Sequence, residues 1–255
     1  MPGSASRPNV PVWVDLATSD PEAARTFYGR ALGWEIEVAD DPQYGGYAMA
    51  RVGGDDVAGI GPAQPGQPTA WTVYLGTDDA AALTAEVAGH GGTVAVPAFP
   101  VGDVGTMAIV QDPSGAFLGL WQPETMAGFS GTGHGHFTWA ELNARGFEGV
   151  TPFYADVFGW SAHRFPMPDG SVYTRFTAGD APIAGGLEMH AMVPSAVPSH
   201  WSVHFAVDDT DAAYRRAIGA GGAEMLPPTA YPGGRFAILR DPQGGVFAVR
   251  SMTSG

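Results

Sequence analysis

Cysteine is absent from the 255-residue chain, which excludes disulfides, thiolate metal sites and a cysteine nucleophile. Charge is scarce, at 15% of residues, and positive charge scarcer: 12 Lys and Arg stand against 26 Asp and Glu, a formal net charge of −14. Binding phosphate backbones takes a basic face, so nucleic acid is not an expected partner; an anionic membrane surface is disfavoured for the same reason. No apolar run approaches the length that spans a bilayer, and Met1–Pro8 lacks the apolar core of a secretory signal. A cytoplasmic location is expected. No phosphate-cradling loop or serine-nucleophile motif occurs either. What is abundant is glycine (37) and proline (22), with 45% apolar residues. That mixture suits many short strands joined by tight turns.

The second informative feature is an internal echo. Trp139, Leu142, Glu148, Phe153, Tyr154, Gly159 and Trp160 follow Trp13, Leu16, Glu22, Phe27, Tyr28, Gly33 and Trp34 at a constant spacing of 126, with Glu141 in place of Asp15. Further on, Trp201, Val203, Asp208, Asp209 and Pro227 follow their counterparts by 130, and Gly234, Ala237, Asp241, Pro242 and Gly244 by 129. Such small changes of offset place the insertions in turns, where strand register is undisturbed. The whole chain is therefore duplicated.

Within one copy, Val12, Val14 and Leu16 alternate with Trp13 and Asp15, the period of a strand. Ser19-Asp20-Pro21-Glu22 starts a helix, whose stripe of Ala23, Ala24, Phe27, Ala31 and Leu32 ends at Gly33. Strands are expected near 34–38, 46–52 and 56–61. A related unit begins at Pro68: a strand, a helix from Asp78-Asp79 to about His90, then strands near 93–96, 104–111 and 116–122. Asp112-Pro113-Ser114-Gly115 is its last hairpin turn. Pro123–Gly135, rich in Gly, Ser and Thr, reads as a flexible linker. The expected organisation is a tail over 1–9, a domain over 10–122, a linker over 123–135 and a second domain over 136–252. The fold class is α+β: four βαβββ modules in two tandem domains with cupped mixed sheets.

Asp20…Phe27-Tyr28…Leu32-Gly33-Trp34, Val157-Phe158-Gly159-Trp160 and the turns at Asp112–Gly115 and Asp241–Gly244, in shared order in both halves, resemble the vicinal oxygen chelate superfamily. That superfamily includes glyoxalase I, extradiol dioxygenases and bleomycin-resistance proteins. The chain is similar in particular to two-domain glyoxalase-like and hydroxylase-like proteins of antibiotic-producing bacteria. The resemblance implies that paired modules curl into a cup, where the metallo-enzymes of the family hold a divalent metal through His and Glu. Carried onto this sequence, those ligand positions fall on Trp13 and Trp139, Thr72 and Ser202, Gly119 and Ala248, and, by a looser alignment, Gly59 and Gly185. None of these is a good ligand for a catalytic divalent metal. No metal or other cofactor is expected.

By alternation the first cup would be lined by Trp13, Asp15, Tyr47, Met49, Arg51, Thr72, Tyr74, Phe117 and Trp121. The second would present Trp139, Glu141, Tyr173, Arg175, Ser202, His204, Val246 and Arg250. An indole exposed in a cup offers a flat apolar surface to a guest; the competing reading has Trp13 and Trp139 as plugs of a vacated cavity. Asp15, Glu141 and His204 are the candidate proton-transfer groups should the protein be an enzyme. For the acids the alternative is an ion pair with Arg51 or Arg175. His134 and His136 read as an adventitious pair on the linker. The expected function is metal-independent binding of an aromatic or polycyclic metabolite or antibiotic. The alternatives are a metal-free enzyme acting on a polyketide-like compound and, behind it, a metal-dependent lyase or dioxygenase. With four modules in one chain, a monomer or a homodimer is expected.

Overall fold

A computed structural model of the chain describes residues 8–252; the expected N-terminal tail, 1–9, lies outside the described residues apart from its last two. The first module is β1 (Pro11–Thr18), α1 (Pro21–Leu32), β2 (Glu35–Val38), β3 (Ala48–Val52) and β4 (Asp55–Pro62). The second is β5 (Ala70–Gly76), α2 (Ala80–Gly89), β6 (Thr93–Val101), β7 (Gly105–Gln111) and β8 (Phe117–Pro123). The third is β9 (Phe137–Ala144), α3 (Phe147–Phe158), β10 (Ser161–Pro166), β11 (Val172–Ala178) and β12 (Ala181–Glu188). The fourth is β13 (His200–Ala206), α4 (Thr210–Gly219), β14 (Ala223–Tyr231), β15 (Gly234–Arg240) and β16 (Val246–Met252).

Local chemistry sets these boundaries. Asp20 caps α1 by accepting from the Ala23 amide at 3.0 Å, Pro21 fills the first turn, and Gly33 closes the helix at φ 74°. Asp79 and Asp209 cap α2 and α4 in the same way. Glycine precedes α3 and offers no cap, so a distant carboxylate serves: Glu188 accepts from the Gly146 and Phe147 amides. Strand β6 runs past its expected end at Val96. Register shifts on either side of Val96 carry the chain through Pro97, which an edge strand tolerates because a missing donor there breaks no ladder.

The strands form two mixed eight-stranded sheets, ordered β2-β3-β4-β1-β5-β8-β7-β6 and β10-β11-β12-β9-β13-β16-β15-β14. In every module the first and last strands run parallel and the hairpins antiparallel. Each sheet thus uses strands of one half of the chain. Contacts group the chain differently. One compact unit comprises 8–12, Val73–Gly128 and Trp139–Trp201; the other comprises Trp13–Thr72, Phe129–Thr138 and 202–252. The first unit joins module two to module three, with α2 against α3; the second joins module one to module four, with α1 against α4.

Each unit has its own aromatic core. In the second, Phe27, Tyr28, Trp34, Trp71, Phe205 and Phe247 are buried, with Tyr28 stacked on Trp34 at 5.4 Å and Trp71 edge-on to both. In the first, Tyr154 stacks on Trp160 at 5.1 Å with Trp201 edge-on. The Tyr28 hydroxyl accepts from Trp71 Nε1 at 3.0 Å and donates to Asp241 at 2.9 Å. Tyr154 accepts from Trp201 Nε1 at 3.1 Å and donates to Asp112 at 2.7 Å. The turn aspartates therefore do more than shape hairpins. One oxygen of Asp241 takes the amides of Gln243 and Gly245, and the other takes a tyrosine from the opposite half of the chain. The Gly-Trp pairs exchange partners likewise. Trp34 donates to the Gly135 carbonyl ahead of β9, and Trp160 to the Asn9 carbonyl ahead of β1. Buried polar groups need such partners, and these tyrosines, tryptophans and turn aspartates have them.

Candidate ligand-binding site

The residues expected to line the two cups divide between the two units, and each unit presents its own arrangement. In the second unit, Trp13 Nε1 donates to the Tyr47 hydroxyl at 2.9 Å, and that hydroxyl reaches Asp15 at 3.4 Å. Burial, then the Asp15 carboxylate, raise the Tyr47 phenol well above its ordinary range. Asp15 pairs in register with Gly59, and Gly59 with Met49. The phenol lies where a side chain on Gly59 would project, so any residue larger than glycine there collides with it. Trp13 and Gly59, onto which the family resemblance carries two ligand positions, are thus occupied by one hydrogen-bonded indole–phenol pair.

Trp13 is only 3% exposed. Phe129 lies on it at 5.6 Å and stacks in turn on Phe137 at 4.7 Å. Part of the segment expected as a flexible linker is held in place. Gly135 and His136 exchange backbone hydrogen bonds with Ala206, Ser130 accepts from the Asp56 amide, and His136 is buried against Asp55 at 3.3 Å. His134 pairs with Asp208 instead. The two histidines therefore have separate carboxylate partners. Arg51 is committed to Asp56 and Glu37, at 2.8 and 2.7 Å. Thr72 and Ser202 are partly exposed.

His204, in register with Ala248, is buried, and its pKa falls to about 3, first through burial and then through the Arg250 charge. The imidazole is neutral at ordinary pH. Arg250 is partly exposed; it donates to the Tyr231 hydroxyl at 2.6 Å and lies over that ring. Tyr231 is one of the residues the sequence reading passed over.

In the first unit, Trp139 Nε1 donates to Tyr173 at 2.9 Å, and Tyr173 occupies the space a side chain on Gly185 would need. This repeats the Trp13–Tyr47–Gly59 arrangement, but here the indole is partly exposed. Glu141 pairs in register with Gly185, Gly185 with Arg175 and Arg175 with His163. Arg175 is exposed and lies over the Phe165 ring at 4.8 Å. In the same unit Tyr74 is buried with its ring across Gly119, its parallel-strand partner. Trp121 is buried and donates to the Met126 carbonyl at 2.8 Å, and Phe117 is 52% exposed.

A metal fits poorly in this setting. Among the described residues no group of three or more His, Asp or Glu side chains converges as a metal site would require. Phenol or aromatic rings cover Gly59, Gly119 and Gly185, the glycines onto which the resemblance carries ligand positions. No described helix is long and apolar enough to cross a membrane. A separate open depression of about 380 Å³ beside the start of α1 is lined by Asp20, Glu22, Thr26, Phe27 and Gln243 among others, none of them a concave-strand residue.

Sequence reasoning missed Phe129, Tyr231, Phe165 and the tyrosine partners of Asp112 and Asp241. A single aromatic residue in an otherwise small and polar linker was the available signal for Phe129.

Comparison with known proteins agrees with the duplicated architecture. Residues 11–120 match the model of the Glyoxalase/Bleomycin resistance protein/Dioxygenase superfamily, and residues 139–250 match that of a Glyoxalase-like domain. A Mycobacterium tuberculosis protein named "Putative glyoxylase CFP32" is 40% identical over 96% of both chains. "Anthracycline biosynthesis protein DnrV" of Streptomyces peucetius is 37% identical, over 97% of this chain and 95% of its own. Among solved structures, the Mn(II)-bound glyoxalase from Novosphingobium aromaticivorans superposes with a TM-score of 0.68 at 18% identity, covering 97% of this chain and 83% of that one. The 2,3-dioxygenase LapB from Pseudomonas sp. KL28 gives 0.67 at 17% identity, with 97% and 93% covered. Two family-model matches and full-length relatives at this identity place the chain in the glyoxalase/bleomycin resistance/dioxygenase superfamily, as a member built from two such domains.

Proposed function

We propose that the protein binds a planar aromatic or polycyclic small molecule without a metal. One observation carries the reading: a tryptophan hydrogen-bonded to a tyrosine over a glycine, once in each half, at places onto which the family resemblance carries metal ligands. An indole held by its N–H keeps a fixed ring plane, and a flat guest can stack on it without the cost of ordering that side chain. The anthracycline-biosynthesis relative is named for making polycyclic aromatic compounds, which suits such a guest. The internal duplication supplies within one chain what two-module relatives obtain by pairing, so a monomer is the proposed state. Titration of tryptophan fluorescence with hydroxylated anthraquinones, with and without a chelator, tests the reading. Saturable quenching that the chelator leaves unchanged is expected; no response to any of them, or a response abolished by the chelator, would overturn it.

A metal-free enzyme acting on such a compound is the second reading, favoured by the acids beside each tyrosine position and by His204 next to Arg250. A histidine with a pKa near 3 is a weak base at neutral pH. Its part in such a reaction would be to donate or accept a hydrogen bond as neutral imidazole. Product formation lost in Glu141→Gln or His204→Ala, with binding retained, would select this reading over simple sequestration.

A further inference from the structure

We infer that the two halves are not equivalent receptors: the guest binds on the second half, at Trp139 and Tyr173, and is an aromatic compound carrying an anionic oxygen, a carboxylate or an ionised phenol. This deepens the proposed binding function and rests on it. Both halves hold the same indole–phenol pair, but their surroundings differ in two ways. In the first half Phe129 covers Trp13, backed by Phe137, and Trp13 is 3% exposed. A ring already lies where a flat guest would stack. In the second half Trp139 is partly exposed.

Charge is the other difference. Along the cross-strand row Asp15–Gly59–Met49–Glu37 the first half presents two acids and a thioether. Along the matching row Glu141–Gly185–Arg175–His163 the second half presents one acid, a guanidinium and an imidazole. Cross-strand partners share a face, so these groups stand on the face that bears Tyr173. Residues 174 and 176 of the same strand point the other way, and Phe176 enters the aromatic core. Arg175 is stacked over Phe165, which orients the guanidinium plane and leaves its N–H edge available for an oxygen acceptor. The imidazole of His163 is spoken for by Thr177 at 3.3 Å. Arg164, the next residue, pairs with Glu148. The guest is aligned with its anionic oxygen toward Arg175 and its rings toward Trp139.

The test uses the full chain and two probes of equal ring system, anthraquinone-2-carboxylate and 2-methylanthraquinone, followed by calorimetry. One molecule bound per chain, with the carboxylate held about tenfold more tightly than the methyl compound, is expected. Arg175→Gln, an exposed change, should weaken the carboxylate about tenfold and the methyl compound less than twofold; Trp139→Phe should weaken both. Two molecules per chain, equal loss for both probes in Arg175→Gln, or full binding in Trp139→Phe would overturn this assignment while leaving aromatic binding standing. Failure of both probes to bind the unaltered protein would overturn the binding function itself.

Discussion

Tyr28 and Tyr154 show how much a single hydroxyl can hold. Each accepts from a tryptophan N–H and donates to a turn carboxylate inside an aromatic core. Replacing Tyr28 with Phe keeps the ring and strands two buried polar atoms, Trp71 Nε1 and one Asp241 oxygen. A loss of about 2–4 kcal/mol in urea unfolding is expected, from desolvation of roughly 1–3 kcal/mol per unsatisfied group. Burial is also the main reason the Asp241 pKa is raised and the Tyr28 and Tyr154 pKa values are well above normal. Stability linked to a raised pKa is complete below the unfolded value and lost as pH rises through the folded one. For these tyrosines, and for Tyr47, that window opens near pH 10. Absorbance titration near 295 nm should therefore show at least three of the eight tyrosines ionising late, Tyr28, Tyr47 and Tyr154 together with unfolding. Eight independent, ordinary titrations would contradict the burial described here.

Glycine beneath the Tyr47 phenol makes a second residue-scale prediction. At Gly59 a methyl group would run into the Tyr47 phenol. Gly59→Ala should cost about 1–3 kcal/mol by overpacking. The cost should shrink when Tyr47 is replaced by Leu; purely additive losses in the double variant would show that the phenol is not the obstacle.

At the scale of the element, the informative segment is the one joining the two halves. Its composition reads as flexible, yet Phe129 packs between Phe137 and Trp13, and Gly135 accepts from Trp34. Phe129→Ala should shift Trp13 emission to the red and make it accessible to iodide, at a cost of about 1–3 kcal/mol from two lost ring contacts. Emission unchanged in position would mean that the ring does not shield the indole. The elements themselves were legible in the sequence because period-2 alternation and the Asp-Pro and Gly-Gly punctuation repeat in both copies. Asp20 and Gly33 announced the ends of α1, whereas Gly59 was singled out through the family resemblance alone. Phe129 was not legible, since small polar neighbours give no periodicity by which to assign it a face. The extension of β6 beyond Val96 was hidden by Pro97, whose presence normally argues against a strand.

At the scale of the whole molecule, the sequence showed four modules but not which of them share a core. Asp112 and Asp241 were readable as turn residues because the loop bonds they make are local. Their bonds to Tyr154 and Tyr28 connect residues 42 and 213 positions apart, and no local pattern encodes such a pairing. Each compact unit draws on both halves of the chain. A fragment ending at residue 128 would lack Phe247 and Asp241 beside Tyr28, and Phe205 beside Trp34 and Trp71. It should fail to fold as a monomer, and the two fragments mixed should restore native fluorescence and a cooperative melt. A cooperative monomeric fold from the first fragment alone would refute the shared cores.

The exchanged tyrosine–aspartate bonds bear on how such a duplicated gene can change. Replacing one copy with that of a cousin protein renews half of the packing in both compact bodies simultaneously, so neither body is inherited intact. Chimeras joined at the connector should therefore tolerate divergence only where Tyr28, Asp112, Tyr154, Asp241 and the rings around them still match. The two copies are free to specialise on their concave faces while remaining bound to one another's history along the helical side.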